Sequence, residues 1–541
     1  MKVSDYIAKY LYEKGITHVF SVTGGFAMHL NDSFSKTHTV IYQHGEQPCG
    51  YSAMGYSRMN LKPSIVCTTA GCGATNAVTP CLIAYQDSVP VFFISGAVPH
   101  KDNVRYLQHS VRTYTGSDCD IVSMVQNITK YAVEIWDVAT LRRELDTCIH
   151  HMTTGIPGPV WLSVPLDIQA LDVSDVSEQF QHLDEHLDHN PDIKELWARS
   201  ERPVLVVGNG VRISQTVQQL ETFVNRHKIP VVCTFFGTDL VPEYNLGRIG
   251  IIGDRTGNFI VQNSDLVLCI GARMAKAVIG YRPEWFARGA SVVKIPDLKS
   301  FFNTSFEYVD RTDWMNITRK WHSLWFRELP RPNSDMCPYR WMNEFYTKKR
   351  PGETTVVSSG SVACVAWQQC LVKPGDRYIM SNHGDMGYEL PVSIGCAIES
   401  GKTTWVVHGD GSFQFHFQEL DTIRRHKLPV KVLVFNNGGY GAIQITQDSY
   451  FRNRAGVSFD CPSIQKLAEI YSLRYFTKYE LDDAIAYDGA CLVEIVCDVQ
   501  ERYPKLQNIL KDDGTFENKP PEDMYPPIDV EHFMIKGIPP I

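Results

Sequence analysis

The sequence predicts an α/β protein in which parallel sheets follow one another along the chain, and three observations predict it. Short apolar runs of the buried-strand type alternate with helical patterns from end to end, as expected for parallel strands joined by helical crossovers. With 541 residues the chain exceeds one hydrophobic core, and roughly three domains of about 150–200 residues are the natural expectation. Two stretches interrupt the alternation: a polar, acidic one running to about Asp192, and one rich in proline and polar residues from Pro330 to Cys337. They set expected domains at 1–170, 190–330 and 340–541.

The first domain opens on MKVSDYIAKYLYEKG, an amphipathic helix with charges throughout and not a secretory signal. A helical pattern from Gly50 to Met59 follows His44-Gly45-Glu46-Gln47, and the last strand lies in Gly158 to Pro165 (GPVWLSVP). The middle domain contributes strands within Arg202–Gly210 (RPVLVVGNG), Ile229–Val232 (IPVV) and Leu266–Arg273 (LVLCIGAR). Its GNG at 208–210 lacks the rest of a dinucleotide fingerprint and reads as a tight turn. In the third domain Thr404–His408 and Val430–Phe435 are apolar strands, with a helix from Phe413 to Arg425 between them. From Lys519 the proline-rich tail has little periodicity and reads as an irregular arm.

A formal net charge of −8, with both signs mixed along the chain, argues against the basic face of a nucleic-acid binder. No apolar run approaches the ~20 residues that span a bilayer. The fifteen cysteines have no CxxC spacing, so they read as reduced buried thiols of a cytoplasmic protein, Cys119, Cys269, Cys364 and Cys396 among them.

The most specific chemistry lies in Gly409-Asp410-Gly411-Ser412-Phe413 and Asn436-Asn437-Gly438-Gly439-Tyr440, with Asp410 and Asn437 separated by 27 positions. Each motif follows an apolar strand, so both stand at strand ends on one sheet edge. Gly409 lets the chain turn sharply and Gly411 allows close backbone approach to an anion. Mg²⁺ takes oxygen ligands and shares them with phosphates. Asp410 offers a carboxylate, Asn437 an amide oxygen, and Ser412 a hydroxyl or backbone N–H for the phosphate. The helix that follows adds backbone donors at its N-terminus. The pair reads as a site for Mg²⁺ and a diphosphate.

Strand, GDGSF, helix, strand and NN at this separation resemble the diphosphate motif of thiamine-diphosphate enzymes. The resemblance covers essentially the whole chain and implies three doubly wound parallel-sheet domains: pyrimidine-binding, central and diphosphate-binding. By it, Asp410, the Asn437 side chain and the Gly439 carbonyl hold Mg²⁺, and Gly409, Gly411, Ser412 and Tyr440 belong to the cofactor site. His44-Gly45-Glu46-Gln47 resembles the segment whose Glu hydrogen-bonds N1′ of the aminopyrimidine, which makes Glu46 catalytic. Thr69–Asn76 (TAGCGATN) resembles the cofactor loop TSGPGATN, with Thr69 and Gly71 in register and Cys72 replacing proline. Asp87-Ser88-Val89-Pro90-Val91 resembles the DSxPV strand entry. Asn382–Pro391 (NHGDMGYELP) resembles the G-x-MG-x-x-LP segment, which implies that the Gly384 carbonyl accepts from N4′ and that Met386 wedges between the two cofactor rings. Ser361, in Ser359-Gly360-Ser361, is placed near the diphosphate.

Within the family, His18–Ser33, Asn437–Gln447 and Pro521–Pro527 are similar to acetolactate synthase-like proteins of surface-polysaccharide and modified-sugar pathways. The implied reaction is decarboxylation of a 2-oxo acid such as pyruvate, with carboligation of the acyl carbanion to a second carbonyl. A plain decarboxylase and a flavin-dependent, pyruvate oxidase-like oxidoreductase are the alternatives. Thr446 stands where acetohydroxyacid synthases place a pocket tryptophan, and Ser117-Asp118 where relatives have Gln-Glu, so the acceptor stays open. So does FAD: Arg273 matches the Arg of the family's GARF segment, whereas Ala275-Lys276-Ala277 departs from the acidic run after it. His44, His383 and His408 are candidates for proton transfer, His383 first for its place beside Gly384. Gln447 and His29 are candidate pocket residues. In relatives the two halves of the site, here about 360 residues apart in sequence, meet across a subunit interface, which implies a homodimer or homotetramer.

Overall fold

Three parallel sheets carry the chain. The computed structural model describes residues 1–107, 110–173, 189–327, 334–357, 360–381, 383–451, 453–498, 508–511, 515–523 and 528–535. The first sheet contains β1 (His18–Ser21), β2 (Thr39–Tyr42), β3 (Ser64–Thr68), β4 (Val91–Ala97), β5 (Tyr131–Glu134) and β6 (Val160–Pro165), in the order β2-β1-β3-β4-β6-β5. The central sheet contains β7 (Pro203–Val207), β8 (Val231–Cys233), β9 (Asn245–Arg248), β10 (Leu266–Ile270) and β11 (Ser291–Ile295), in the order β11-β10-β7-β8-β9. The third contains β12 (Thr354–Val357), β13 (Arg377–Met380), β14 (Thr404–Gly409), β15 (Val430–Asn436), β16 (Arg474–Thr477) and β17 (Cys491–Val496), in the order β13-β12-β14-β15-β17-β16. Inner strands such as β4, β7 and β10 are buried at every position. That follows from their predominantly apolar content, because helices cover both faces of a parallel sheet.

The first and third sheets have the same winding. In both, the second strand lies on one side of the first and the third strand on the other, so the chain reverses between β1 and β3 and again between β12 and β14. Loops leaving the carboxyl ends of such strands part and leave a crevice. Equivalent helices follow β2 and β13, namely Glu46–Asn60 and Glu389–Ser400. These two helices cross in backbone contact. A Cβ on Gly55 would stand 2.0 Å from the Val392 carbonyl oxygen, and one on Gly395 would stand 1.8 Å from that of Ser52. Ser52 Oγ donates to the Pro391 carbonyl at 2.8 Å. Beside the crossing, a polar junction joins all three domains. Arg58 is buried and donates to the Met380 carbonyl and to Tyr388 Oη, while Arg377 donates to the Arg58 carbonyl and pairs with Asp239 of the central domain.

Two expectations need revision. The helix expected over 413–425 is split into Asp410–Phe413 and Leu420–Arg425 with a 3₁₀ turn between them. The break lets His416 turn inward, with Nδ1 2.9 Å from the Gly387 carbonyl oxygen. The cysteines carry no disulfide among the described residues, but they are not uniformly buried: Cys72 is exposed, and Cys119, Cys364 and Cys461 are half-buried. Burial pushes the Cys269 and Cys396 thiols up to about 12. The tail forms a hairpin of β18 (Asn508–Leu510) with β19 (Phe516–Asn518), then docks on the central domain. There buried Glu522 takes Arg288 at 2.6 Å and Gln262 at 2.7 Å, and Phe533 packs on Trp325. Of the proline-rich Pro521–Pro527 stretch, residues 524–527 lie outside the described set. No helix among the described residues is long and apolar enough to cross a membrane.

The crossing leaves no room for a methyl group, so Gly395→Ala should lower unfolding stability by about 1–3 kcal/mol, the usual cost of overpacking, as read by denaturant titration. Burial holds His38 and His227 down to about 4, whereas an unfolded imidazole titrates near 6.5. Between those values the unfolded chain binds more protons, so stability is fully present above pH ~6.5 and is lost as pH falls toward ~4. The thermal midpoint should therefore drop from pH 7 to pH 5, and His227→Leu should flatten that slope.

Candidate active site

The third sheet builds the cation-type loop. β14 carries Asp410 to its carboxyl end, where the side chain is buried and surrounded by backbone donors. Oδ1 accepts from the Gly411 N–H at 2.8 Å, and Oδ2 from the N–H groups of Asn437 at 3.2 Å and Gly439 at 2.9 Å. Burial pushes the Asp410 carboxyl up, and these N–H groups pull against it. The turn after β15 supplies the remaining oxygens. Gly438 (φ 71°) and Gly439 (φ 140°) lie in the left-handed region that a side chain disfavours, and a Cβ on Gly439 would strike the Val457 carbonyl oxygen at 2.1 Å. This turn brings the Gly439 carbonyl oxygen to 2.9 Å from the Asn437 amide oxygen, which is also 2.9 Å from Asp410 Oδ1.

Three oxygens converging with no hydrogen between them repel unless something positive separates them. Rotating the Asn437 amide would place its NH₂ there as a donor to both neighbours. A divalent cation does the same with the amide as it stands. Octahedral Mg²⁺ with ligands at 2.0–2.1 Å has neighbouring oxygens about 2.9 Å apart, so the spacing fits that ion. Next to these oxygens a small cleft is lined by Ser361, Val362, Phe435, Asn437, Cys497 and Asp498. Ser361 opens the Ser361–Gln369 helix after β12, on the other side of the strand reversal from Asp410. Gly360, Gly384 and Gly438 face open space. The residues present thus fit a metal-bound diphosphate. Ser359 and Asn382 lie outside the described residues.

Three roles read from the sequence change in detail. Gly409 has φ −84° and ψ 154°, an extended conformation any residue adopts, so the turn does not depend on it. The space beside Gly411 is filled by the Tyr440 ring, whose Cε1 would lie 2.6 Å from a Cβ there; glycine is needed to admit this ring. The Ser412 hydroxyl is engaged internally, donating to Glu389 Oε1 at 2.5 Å and accepting from the Gly387 N–H at 2.7 Å. That leaves its backbone N–H for a phosphate.

Beneath the loop lies a pair that sequence reasoning missed. Glu389 and His408 are both fully buried, with His408 Nδ1 2.5 Å from Glu389 Oε1 but off the hydrogen-bond direction. Burial alone would raise the Glu389 carboxyl; His408 and Ser412 outweigh it and hold the group below its ordinary range. A lone carboxylate opening an otherwise apolar helix (ELPVSIG) was the signal available.

Glu46 opens its helix at the end of β2 and is half-buried. Asn76 Nδ2 donates to its Oε2 at 3.1 Å. Oε1 lies over Gly73, where a Cβ would come within 3.1 Å of it and within 2.6 Å of Thr69 Cγ2. Thr69 in turn accepts from the Phe26 N–H at 3.2 Å. Gly71 packs against the backbone of Ser117. Glu46, Thr69 and Gly71 thus share one crevice, at the β1/β3 reversal.

The Gly384–Met386 segment is held by the first domain. His383 Nε2 is 2.9 Å from Asp87 Oδ1, and Tyr51 Oη hydrogen-bonds Asp385, whose carboxyl burial pushes up. Gly384 is exposed and Met386 half-buried. Of the other histidines, His44 is exposed and meets Asp421, His408 is sealed behind the cation-type loop, and His29 is half-buried. Gln447 bonds the backbone of Ala455 and Thr446 that of Ala442. At the strand ends of the central sheet, Gly208 and Gly210 pack directly on Gly271 and Ala272, and Arg273 reaches the Gln86 carbonyl. Among the described residues no contact joins Glu46 to Asp410, Asn437 or Gly439.

Family models match all three domains. Residues 1–124 match the N-terminal TPP binding domain of thiamine pyrophosphate enzymes, 192–305 their central domain, and 358–495 their C-terminal TPP binding domain. The chain is a thiamine pyrophosphate enzyme. It is 28% identical over 550 residues to the acetolactate synthase large subunit of Lactococcus lactis, covering 92% of this chain and 93% of that one. It is 26% identical to the isozyme 2 large subunit of acetolactate synthase from Escherichia coli (93% and 96% covered) and 28% identical to the chloroplastic acetolactate synthase of Arabidopsis thaliana (96% and 84%). It is therefore a thiamine-diphosphate-dependent, acetolactate synthase-like enzyme with an α/β fold.

Because Gly73 leaves the space that Glu46 Oε1 occupies, Gly73→Ala should reduce turnover by about tenfold or more, since misplacements of ~1 Å cost that much or more. Circular dichroism should remain native.

Proposed function

We propose that this enzyme decarboxylates a 2-oxo acid of the pyruvate type and joins the acyl unit to a second carbonyl, with thiamine diphosphate held through Mg²⁺. The observation that carries the metal reading is the convergence of Asp410 Oδ1 and the Gly439 carbonyl oxygen on the Asn437 side-chain amide, at 2.9 Å each. The carboligation reading is supported by the acetolactate synthases that match over nearly the full chain.

When bound, thiamine diphosphate supplies a nucleophilic carbon and an electron sink for the loss of CO₂. Asp410, Asn437 and Gly439 would hold the cation, and the backbone around Gly360, Ser361 and Ser412 the diphosphate. Glu46, with Oε2 fixed by Asn76, is free to hold or release a proton at Oε1 toward the aminopyrimidine. The Gly384 carbonyl and Met386 would meet the same ring. His383, oriented by Asp87, is the candidate for moving a proton on substrate, and Ser117, Thr446, Gln447 and His29 are candidates for the acceptor pocket.

Glu46 and Asp410 sit on different domains, and the Glu46 segment meets the third domain at Glu419 rather than at the cation-type loop. We therefore infer that a second copy of the chain completes each site, so that a homodimer, or a homotetramer built from it, is the active unit.

Product analysis by mass spectrometry with pyruvate, alone and with ketone or nucleotide-sugar acceptors, tests the reaction. A ligated 2-hydroxy ketone is expected. Free aldehyde alone would indicate a plain decarboxylase, and bleaching of a bound flavin by pyruvate an oxidase. For the site, Asn437→Leu should weaken Mg²⁺-dependent cofactor binding in calorimetry at least about tenfold, the loss of one charge-assisted ligand. Glu46→Gln should lower turnover about 100-fold or more, with a residual rate and cofactor binding still measurable. Unchanged Mg²⁺ dependence in Asn437→Leu would remove these oxygens as the metal site.

A further inference from the structure

The segment that carries Glu46 is held from outside its own domain. Tyr42 to Gly45 leads from β2 into the Glu46–Asn60 helix; the Gln43 N–H stays on the Ser21 carbonyl of its own sheet at 3.1 Å, and further polar partners lie on the third domain of the same chain. Glu419 is fully buried there. Its Oε2 accepts from Gln43 Nε2 at 3.1 Å and from Thr422 Oγ1 at 2.7 Å, and its Oε1 accepts from the His44 backbone N–H at 3.0 Å. Two residues on, Asp421 Oδ2 lies 3.1 Å from His44 Nε2. Arg425 donates to Asp421 at 2.7 Å and to the Tyr42 carbonyl at 2.9 Å. Three consecutive residues before the Gly45–Glu46 step are thus gripped by one short helical stretch, nine positions past Asp410 in sequence at its nearest point.

A buried carboxylate is costly unless its oxygens are satisfied, and Glu419 is satisfied in part by groups of the other domain. The bond to the His44 N–H fixes backbone, not a side chain, so it sets the direction in which the chain enters the helix. We infer that Glu419 is a positioning residue for Glu46: it fixes the turn from which the Glu46 carboxyl projects, and thereby ties one half of the cofactor site to the loop that bears the other half-site on the same chain. This rests on the proposed role of Glu46 at the aminopyrimidine.

Glu419→Ala removes the acceptor, whereas Glu419→Gln keeps an oxygen for the His44 N–H. Hydrogen exchange of the cofactor-free protein reads the clamp directly: the peptide containing His44 should lose protection in Glu419→Ala and keep it in Glu419→Gln. In the Mg²⁺ and thiamine-diphosphate-loaded enzyme, Glu419→Ala should lower kcat about 10- to 100-fold with KM unchanged, Glu419→Gln should restore most of it, and Glu419→Ala should add no further loss on top of Glu46→Gln, since groups acting through one another are non-additive. Wild-type kcat in Glu419→Ala, unchanged exchange at His44, or losses that add to those of Glu46→Gln would overturn the inference. If Glu419→Ala does not fold, Thr422→Val, which removes a donor to the same carboxylate, should show the same pattern at smaller amplitude, and wild-type behaviour of that variant would overturn it. Failure of the unmodified protein to bind thiamine diphosphate, or full turnover of Glu46→Gln, would instead remove the reading of Glu46 itself.

Discussion

The backbone contact at Gly55 and Gly395 is the constraint on which the rest of the site depends. Helices that cross through glycine come closer than side chains permit, and close-packed backbones have little freedom to slide. Both crossing helices begin at segments to which the proposed function assigns cofactor contacts, Gly45–Glu46 on one and Gly384–Glu389 on the other. Fixing the crossing therefore fixes how far apart these segments stand within a chain. The polar junction beside it, with Arg58, Asp87, Arg377 and Asp239, surrounds the crossing with buried charges that pair in this one arrangement. Buried ion pairs are weak evidence for stability. Here they select a geometry among three domains.

The shared winding of the first and third sheets makes the holding reciprocal. The first domain grips the Gly384 segment through Asp87 on His383 and Tyr51 on Asp385, and the third grips the Glu46 segment through Glu419 and Asp421. Neither segment is set by its own sheet alone. The cation-type loop is different in kind. Its oxygens are placed by short-range features, namely two glycines with left-handed backbone and the N–H groups that converge on Asp410. Beneath it the Ser412 hydroxyl accepts from the Gly387 N–H and donates to Glu389, so the Gly387 turn and the loop share one buried support.

Much of this was legible in the amino-acid order. The three α/β units follow from apolar runs such as PVLVV and KVLVFN, because strands buried on both faces must be apolar throughout. Asp410 and Asn437 could be paired because each ends such a run, and Gly438–Gly439 declare the turn that joins them. Glu46 could be singled out only through the resemblance of its neighbours to a known family, since a half-buried acid at a helix start has no signature of its own.

What the order could not reveal was decided by contacts between distant segments. The helix expected over 413–425 is broken where His416 reaches the Gly387 carbonyl, and Gly411 serves the Tyr440 ring. Ser412 turns its hydroxyl to Glu389, and His383 is taken by Asp87. Each partner lies tens to hundreds of residues away, and a hydrogen bond or van der Waals contact of a few ångströms leaves no periodic trace in the chain. Glu389 and Glu419 show the boundary. Glu389, opening an apolar helix, announces that something buried must satisfy it, and the fold of the third domain supplies Ser412 and His408. Glu419, between Gln418 and Leu420 and close to Asp421, carries no such signal, and only the packing of the first domain on the third supplies Gln43 and the His44 N–H.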